Sequence, residues 1–276
     1  MGKFKFPEIK LPQIKLSSAG KEKLVVGLDI GSHAVKICQL SKENDGFRLL
    51  NLGSAQLPEG AVDDGMLQDA DEVGKIISAL YKNLKIKEKK VAISISGYSV
   101  IVKKINLAVM TQTELEAHIQ AEAEQYIPFD IDDVYLDFQD LHTNTEDDDR
   151  TDVMLVAAKK EVVDGYLDML RAAGLKPVIV DVDAFALENA YEANFSLDEN
   201  AALIDIGASK MNINIISHGT STLARDVVLG SRQLTEQIQN RFDISYEEAE
   251  ALKLGSTEAG ERQTQLDEIF TNTCTQ

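Results

Sequence analysis

The chain has 276 residues, 44% of them hydrophobic, with 46 acidic against 28 basic side chains and a net charge of −18. That length can bury two domain cores, and the acidic balance excludes a general nucleic-acid binder, which needs a basic face for phosphates. Tryptophan is absent, so the cores should be aliphatic, and the two cysteines, Cys38 and Cys274, fit no metal spacing and point to a reducing cytosol. No apolar run approaches a membrane span, and prolines interrupt the basic N-terminus, so no signal peptide is expected.

The first 23 residues hold six lysines against two glutamates, a net +4, which leaves −22 for the rest. Phe4, Phe6, Ile9, Leu11, Ile14 and Leu16 are interleaved with those lysines, and Pro7 and Pro12 forbid a regular helix. This is read as a flexible basic–apolar arm, which either touches an anionic membrane surface or a partner or has no role.

Val25 to Ser32 reads Val-Val-Gly-Leu-Asp-Ile-Gly-Ser, an apolar strand entering a glycine turn, and Ala34 to Leu40 returns as a second strand. Gly31 admits a close anion, because it lacks a Cβ, and Asp29 stands at the mouth of the turn, where a carboxylate can hold a metal-bound water. A third strand follows at about 47–57 after an Asn44-Asp45-Gly46 turn. Asp71 to Leu84 carries Val73, Ile76, Ile77, Leu80 and Leu84 on one helical face, Val91 to Ser96 is a strand ending at Gly97, and the strand with Cys38 is expected to be buried.

Residues 99–177 read as an α+β insertion. Val100–Ile105, Val134–Leu141 and Val153–Ala158 are strands, and Glu146 to Asp149 is an acidic, solvated turn. Thr113-x-x-Glu116 is a capping box for a helix that Pro128 ends, and Glu161–Ala173 is a helix with Gly174 just past its end. Val178–Val182 returns as a strand and Ala184–Ala193 is a bridging helix, with Asp183 at its start as N-cap or as a group that orients water.

A second copy of the hairpin follows: Ala201 to Ser209 runs into Asp205-x-Gly207-Ala208-Ser209, and Met211 to Ile216 returns. Two such hairpins imply two related domains facing each other across a cleft, each offering backbone donors to a polyphosphate. The pair resembles the nucleotide fold shared by actin, Hsp70 and the sugar kinases. That resemblance implies ATP with Mg2+ as ligands, the metal held through water by Asp29 and Asp205. Lys36, seven residues past Asp29, matches the actin-like phosphate-contacting lysine, or else is a surface lysine. Asp183 matches the acidic or amide residue that orients attacking water, and an N-cap role stays open beside it.

The placement of the insertion is similar to that of the cell-division protein FtsA. Gly230 into a helix resembles the passage after the second phosphate loop, and Ala249-Glu250-x-x-Lys253 resembles an FtsA and MreB motif around ribose and adenine. Gly27 to Lys36, Glu122 to Phe129 and Val180 to Asn189 resemble the PilM family of type IV pilus assembly proteins, over residues 24 to about 255.

The fold expected is therefore α/β, actin-like (ribonuclease H-like), with an FtsA-type insertion. Residues 24–98 and 178–196 would form the first domain, 99–177 the insertion, and 197–276 an incomplete second domain. The resemblance implies that Asp29, Gly31, Ser32, His33 and Lys36 meet nucleotide from one side. Asp205, Gly207, Ala208, Ser209, Gly230, Glu250 and Lys253 would meet it from the other. It also implies a cytoplasmic protein at the inner face of the inner membrane. Its partners would be the cytoplasmic N-terminal tail of PilN, gripped between first domain and insertion, and other platform and motor proteins. Turnover is expected to be at most slow. A sugar-kinase-like phosphotransfer enzyme is the alternative, although no further general base is assignable. No late glycine-rich turn follows Gly255, and the tail from Ser256 is polar. The chain is therefore expected to lack a C-terminal part and to expose apolar surface in its second domain.

Overall fold

In the computed structural model the first sheet runs, edge to edge, through the strands Lys176–Val182, Lys90–Ile95, Val26–Ile30, Ala34–Glu43 and Gly46–Gln56. The described residues are 24–43, 46–141, 149–195, 200–217 and 219–275. The basic arm, the Asn44–Asp45 pair and most of the acidic stretch at 146–149 lie outside them. β1 (Val26–Ile30), β2 (Ala34–Glu43) and β3 (Gly46–Gln56) form an antiparallel meander. A short hairpin, β4 (Val62–Asp63) and β5 (Met66–Leu67), leads into α1 (Ala70–Asn83). β6 (Lys90–Ile95) lies parallel to β1.

Asp69 starts α1 by accepting from the Glu72 amide at 3.0 Å. The apolar stripe of α1 then buries Val73, Ile77 and Leu80 against Val26, Leu28, Val35, Ile37, Val91 and Ile93. These are aliphatic side chains, as the composition requires. Cys38 is half-buried on β2 rather than buried, because its face of the meander carries less cover.

The second sheet has the order β7-β9-β8, all antiparallel: β7 (Val100–Ala108), β8 (Val134–Asp140) and β9 (Arg150–Lys159). α2 (Gln112–Glu122) packs Leu115 and Ile119 on it, beside Ile105, Leu107, Val153 and Leu155. The cap of α2 is Thr111 with Glu114, not Thr113 with Glu116. Both Thr-x-x-Glu frames offer the same reciprocal bonds, and the earlier one gains half a turn of helix. β9 is buried on both faces, since Met154 and Val156 point away from α2 toward Val182, Ala184 and Phe185.

α3 (Lys160–Ala172) departs from the expected division of the chain. The sequence reading placed it in the insertion, yet Val162, Val163, Tyr166, Leu167 and Leu170 join the core of the first sheet. α3 packs on α1, where Gly74 lets the Met169 side chain come close. Gly174 ends α3 at φ 75 and β10 (Lys176–Val182) pairs parallel to β6.

α4 (Asp183–Glu192) bridges to a third sheet of β11 (Ala201–Ile206), β12 (Met211–Ser217) and β13 (Thr220–Val227). α5 (Arg232–Phe242), α6 (Tyr246–Lys253) and α7 (Gln263–Cys274) follow, with Ile238, Ala249, Leu252, Leu266 and Ile269 forming their shared core. The polar tail thus folds as a helix. Ile204 and Ile206 on β11 are 54% and 66% exposed. No helix among the described residues is long and apolar enough to cross a membrane.

Candidate functional site

The two Asp-x-Gly turns are built alike. The Gly31 amide donates to the Ala34 carbonyl at 3.1 Å, and the Gly207 amide donates to the Lys210 carbonyl at 2.9 Å. Strand pairing sets Asp29 opposite Lys36 and Asp205 opposite Asn212, so the two hairpins share one register. Among the described residues, the amides of Ser32, His33, Ala208 and Ser209 donate to no protein acceptor. Four unpaired donors on two facing turns form a cradle suited to anionic oxygens.

The turns face each other across a cavity of about 250 Å³. Asp29, Gly31, Ser32, His33 and Lys36 line it from the first sheet, Asp183 from α4, and Asp205, Gly207, Ala208 and Ser209 from the third. Gly230 is not in the lining, but the residue after it, Ser231, is. Gly230 instead supports the second turn from behind. A Cβ there would lie 2.3 Å from the Ala208 carbonyl oxygen, and the next two amides, Ser231 and Arg232, donate to Gly207 and Ala208 at 2.9 and 2.8 Å.

Lys36 Nζ lies 2.7 Å from Asp29 Oδ2. The Asp29 hydrogen bond lifts the lysine pKa, burial opposes the rise, and the charges of Asp29, Asp205 and Asp183 add to it. Three carboxylates therefore act on one ammonium. Among the described residues no three carboxylate, histidine or cysteine groups gather tightly enough to hold a metal alone. Magnesium bound through water and phosphate oxygens fits such a donor set, since it keeps several waters.

Asp183 is the first residue of α4 and not its N-cap. Its carboxylate accepts instead from Ser96 Oγ, which in turn accepts from Lys210 Nζ. Lys210 is 4.0 Å from Asp226, whose other oxygen accepts from Asn212 Nδ2 at 2.7 Å, and the Gly97 amide donates to Asp226. This chain of polar groups ties the first sheet to the third. The sequence reading missed Ser96, Lys210, Asn212 and Asp226; the only local signal was Asn212 at the position matching Lys36.

Glu250 and Lys253 stand outside the lining. They pair with each other at 2.7 Å, with side chains 16% and 10% exposed. Thr235 Oγ1 also donates to Glu250, at 2.6 Å, and Lys253 reaches the Ser231 carbonyl at 3.4 Å. Burial pushes the Glu250 carboxyl up, but Lys253 and Thr235 outweigh it and hold it below its ordinary value.

The family model described as type IV pilus assembly protein PilM matches residues 27–276. The solved PilM–PilN type IV pilus biogenesis complex contains a chain 28% identical, with a TM-score of 0.78, covering 91% of this chain and 73% of that one. Cell division protein FtsA of Bacillus subtilis (strain 168) is 22% identical over 271 residues, covering 90% of this chain. The chain spans 61% of the length of that curated relative. Ethanolamine utilization protein EutJ from Carboxydothermus hydrogenoformans shares the fold at 17% identity and a TM-score of 0.50, covering 90% and 68% of the two chains. With its actin-like α/β fold, the chain belongs to the type IV pilus assembly protein PilM family.

Proposed function

We propose that the chain is an ATP-binding, actin-like scaffold of the type IV pilus assembly complex. It would act in the cytoplasm at the inner face of the inner membrane and hold the N-terminal tail of PilN. The observation that carries the nucleotide reading is the pair of matching Asp-x-Gly turns lining one cavity. Family membership and the solved complex of a relative with PilN support the partner.

In this reading Ser32, His33, Ala208 and Ser209 bind phosphate oxygens through their amides. Asp29 and Asp205 would hold magnesium through its bound water, and Lys36, now paired with Asp29, would neutralise a phosphate. When bound, ATP and Mg2+ would supply the charge that the amides and carboxylates of the two walls would hold. Gly230 positions the second turn, while Glu250 and Lys253 fix α6 against α5. Asp183 is already engaged by Ser96, so it is a weak candidate for activating water, and turnover is expected to be slow or nil.

The domain division proposed is 24–98 with 160–196, 99–159 as the insertion, and 197–276, moved from the sequence reading by the packing of α3. Titration of a labelled PilN-tail peptide tests the partner. Saturable binding by this chain is expected, and no binding at high micromolar peptide would overturn that half of the proposal. Release of phosphate from ATP at several turnovers per minute, lost in Asp183→Ala, would overturn the scaffold reading in favour of an enzyme.

A further inference from the structure

The last turn of α1, the loop after it and the first residue of β6 carry Lys82, Lys85, Lys87, Lys89 and Lys90, all exposed, within a chain of net charge −18. Glu88, the one carboxylate in that stretch, accepts from the amides of Lys89 and Lys90 at 3.0 and 2.9 Å. Lys176, at the start of β10, pairs with Lys90 across the strands and adds another lysine to the same edge. This is the end of the first sheet opposite the paired turns. Six steps along β6 and beyond, from Lys90 to Ser96, separate the two by about 20 Å.

Within the lysine rim lies a cleft of about 350 Å³, lined by Tyr81, Lys82, Lys85, Lys87 and Lys89 over Leu175. Lys85 stands at φ 54, and the turn it makes brings the loop back so that the Ile86 amide donates to the Tyr81 carbonyl at 3.1 Å. Tyr81 is only 4% exposed, and its hydroxyl is buried with no hydrogen-bond partner among the described residues. Native interiors seldom leave a buried hydroxyl unpaired. Burial first, and the Glu88 charge second, raise the phenol above its ordinary value, so it stays protonated and able to donate.

A cleft lined by several ammonium groups and by Tyr81, whose buried hydroxyl lacks a partner, complements one chemistry: a multiply charged oxyanion. We propose that this cleft binds a phosphate-bearing ligand, whose oxygens pair with the lysine ammonium groups and accept from Tyr81. An anionic phospholipid headgroup and a soluble phosphate compound share that chemistry.

The full chain is tested with two probes. One is inorganic pyrophosphate, followed by amide chemical shifts of residues 78–89, which separates this site from the distant cavity. The other is co-sedimentation with phosphatidylcholine vesicles, with and without phosphatidylglycerol. Saturable binding to at least one probe is expected. It should fall about tenfold in the Lys85→Glu, Lys87→Glu, Lys89→Glu triple variant, and several-fold in Tyr81→Phe at unchanged or higher melting temperature. Binding only to phosphatidylglycerol vesicles identifies a lipid headgroup. Pyrophosphate shifts alone identify a soluble ligand, and both together show that the phosphoryl group suffices. Binding of neither probe overturns the proposal. So does binding that the lysine variant weakens and Tyr81→Phe leaves intact, because that is a diffuse charged surface without a built site.

Discussion

Ser32 Oγ and Ser209 Oγ lie 2.8 Å apart, although 177 positions separate them in the chain. Each belongs to the turn of its own Asp-x-Gly hairpin, so the bond joins the two candidate phosphate turns directly. Arg232 adds a second tie, donating from Nη2 to the Ser32 carbonyl at 3.2 Å. The cleft is therefore closed at its lip, and a polyphosphate seated between the turns must part them.

The second turn depends on Gly230. A side chain there meets the backbone of that turn, 2.3 Å from the Ala208 oxygen and 2.7 Å from the Ser209 carbonyl carbon. Gly230→Ala should therefore cost at least about 2 kcal/mol in chemical denaturation. Gly165, inside α3 with nothing within 4 Å of its added Cβ, gives the contrast. Gly165→Ala should stabilise by roughly 0.5–1 kcal/mol, as helix propensity dictates.

The Glu250–Lys253 pair is expected to be structural. Lys253→Met leaves a mostly buried carboxylate with only Thr235, and should cost about 3 kcal/mol at neutral pH. Because the Glu250 carboxyl is held below its ordinary value, its contribution is present above about pH 4.3 and is lost as pH falls through the folded value. Denaturation of parent and variant across the acid range should show the gap narrowing below that point.

Asp181 behaves in the opposite sense. Burial raises its pKa first, the Val182 amide lowers it, and the Asp183 charge raises it again. Since the folded value lies above the unfolded one, ionisation opposes folding, and stability falls as pH rises from about 3.9 through the folded value. Asp181→Asn keeps an acceptor for the Val182 amide, whose bond to Asp181 is 2.8 Å. It should melt higher than the parent at pH 7, and the advantage should vanish on acidification.

Much of this architecture is legible in the sequence because its signals are local. Asp29-x-Gly31 and Asp205-x-Gly207 each sit between two apolar strands, and the structure places both on one cavity. The stripe of Val73, Ile77 and Leu80 defines α1 by period alone. Features that depend on distant contacts are not legible. Lys210 reaches Ser96 across 114 positions and Gly97 reaches Asp226 across 129. Asp183 carries a cap-forming residue type, but Ser96 competes for its carboxylate, and nothing near Asp183 in the sequence announces Ser96. The stripe of α3 is equally compatible with either neighbouring sheet, and only packing on α1 decides it.

The most direct test of the nucleotide cleft is disulfide trapping of the lip. The Ser32→Cys, Ser209→Cys double variant, in a Cys274→Ser background, places two thiols where the hydroxyls now touch at 2.8 Å. It should cross-link under mild oxidation, since that spacing lies within reach of disulfide geometry. Magnesium-ATP should slow the cross-linking by holding the turns apart, and phosphate-free adenosine should not. Cross-linking at the same rate with and without magnesium-ATP would contradict the account, because no polyphosphate would then lie between Ser32 and Ser209.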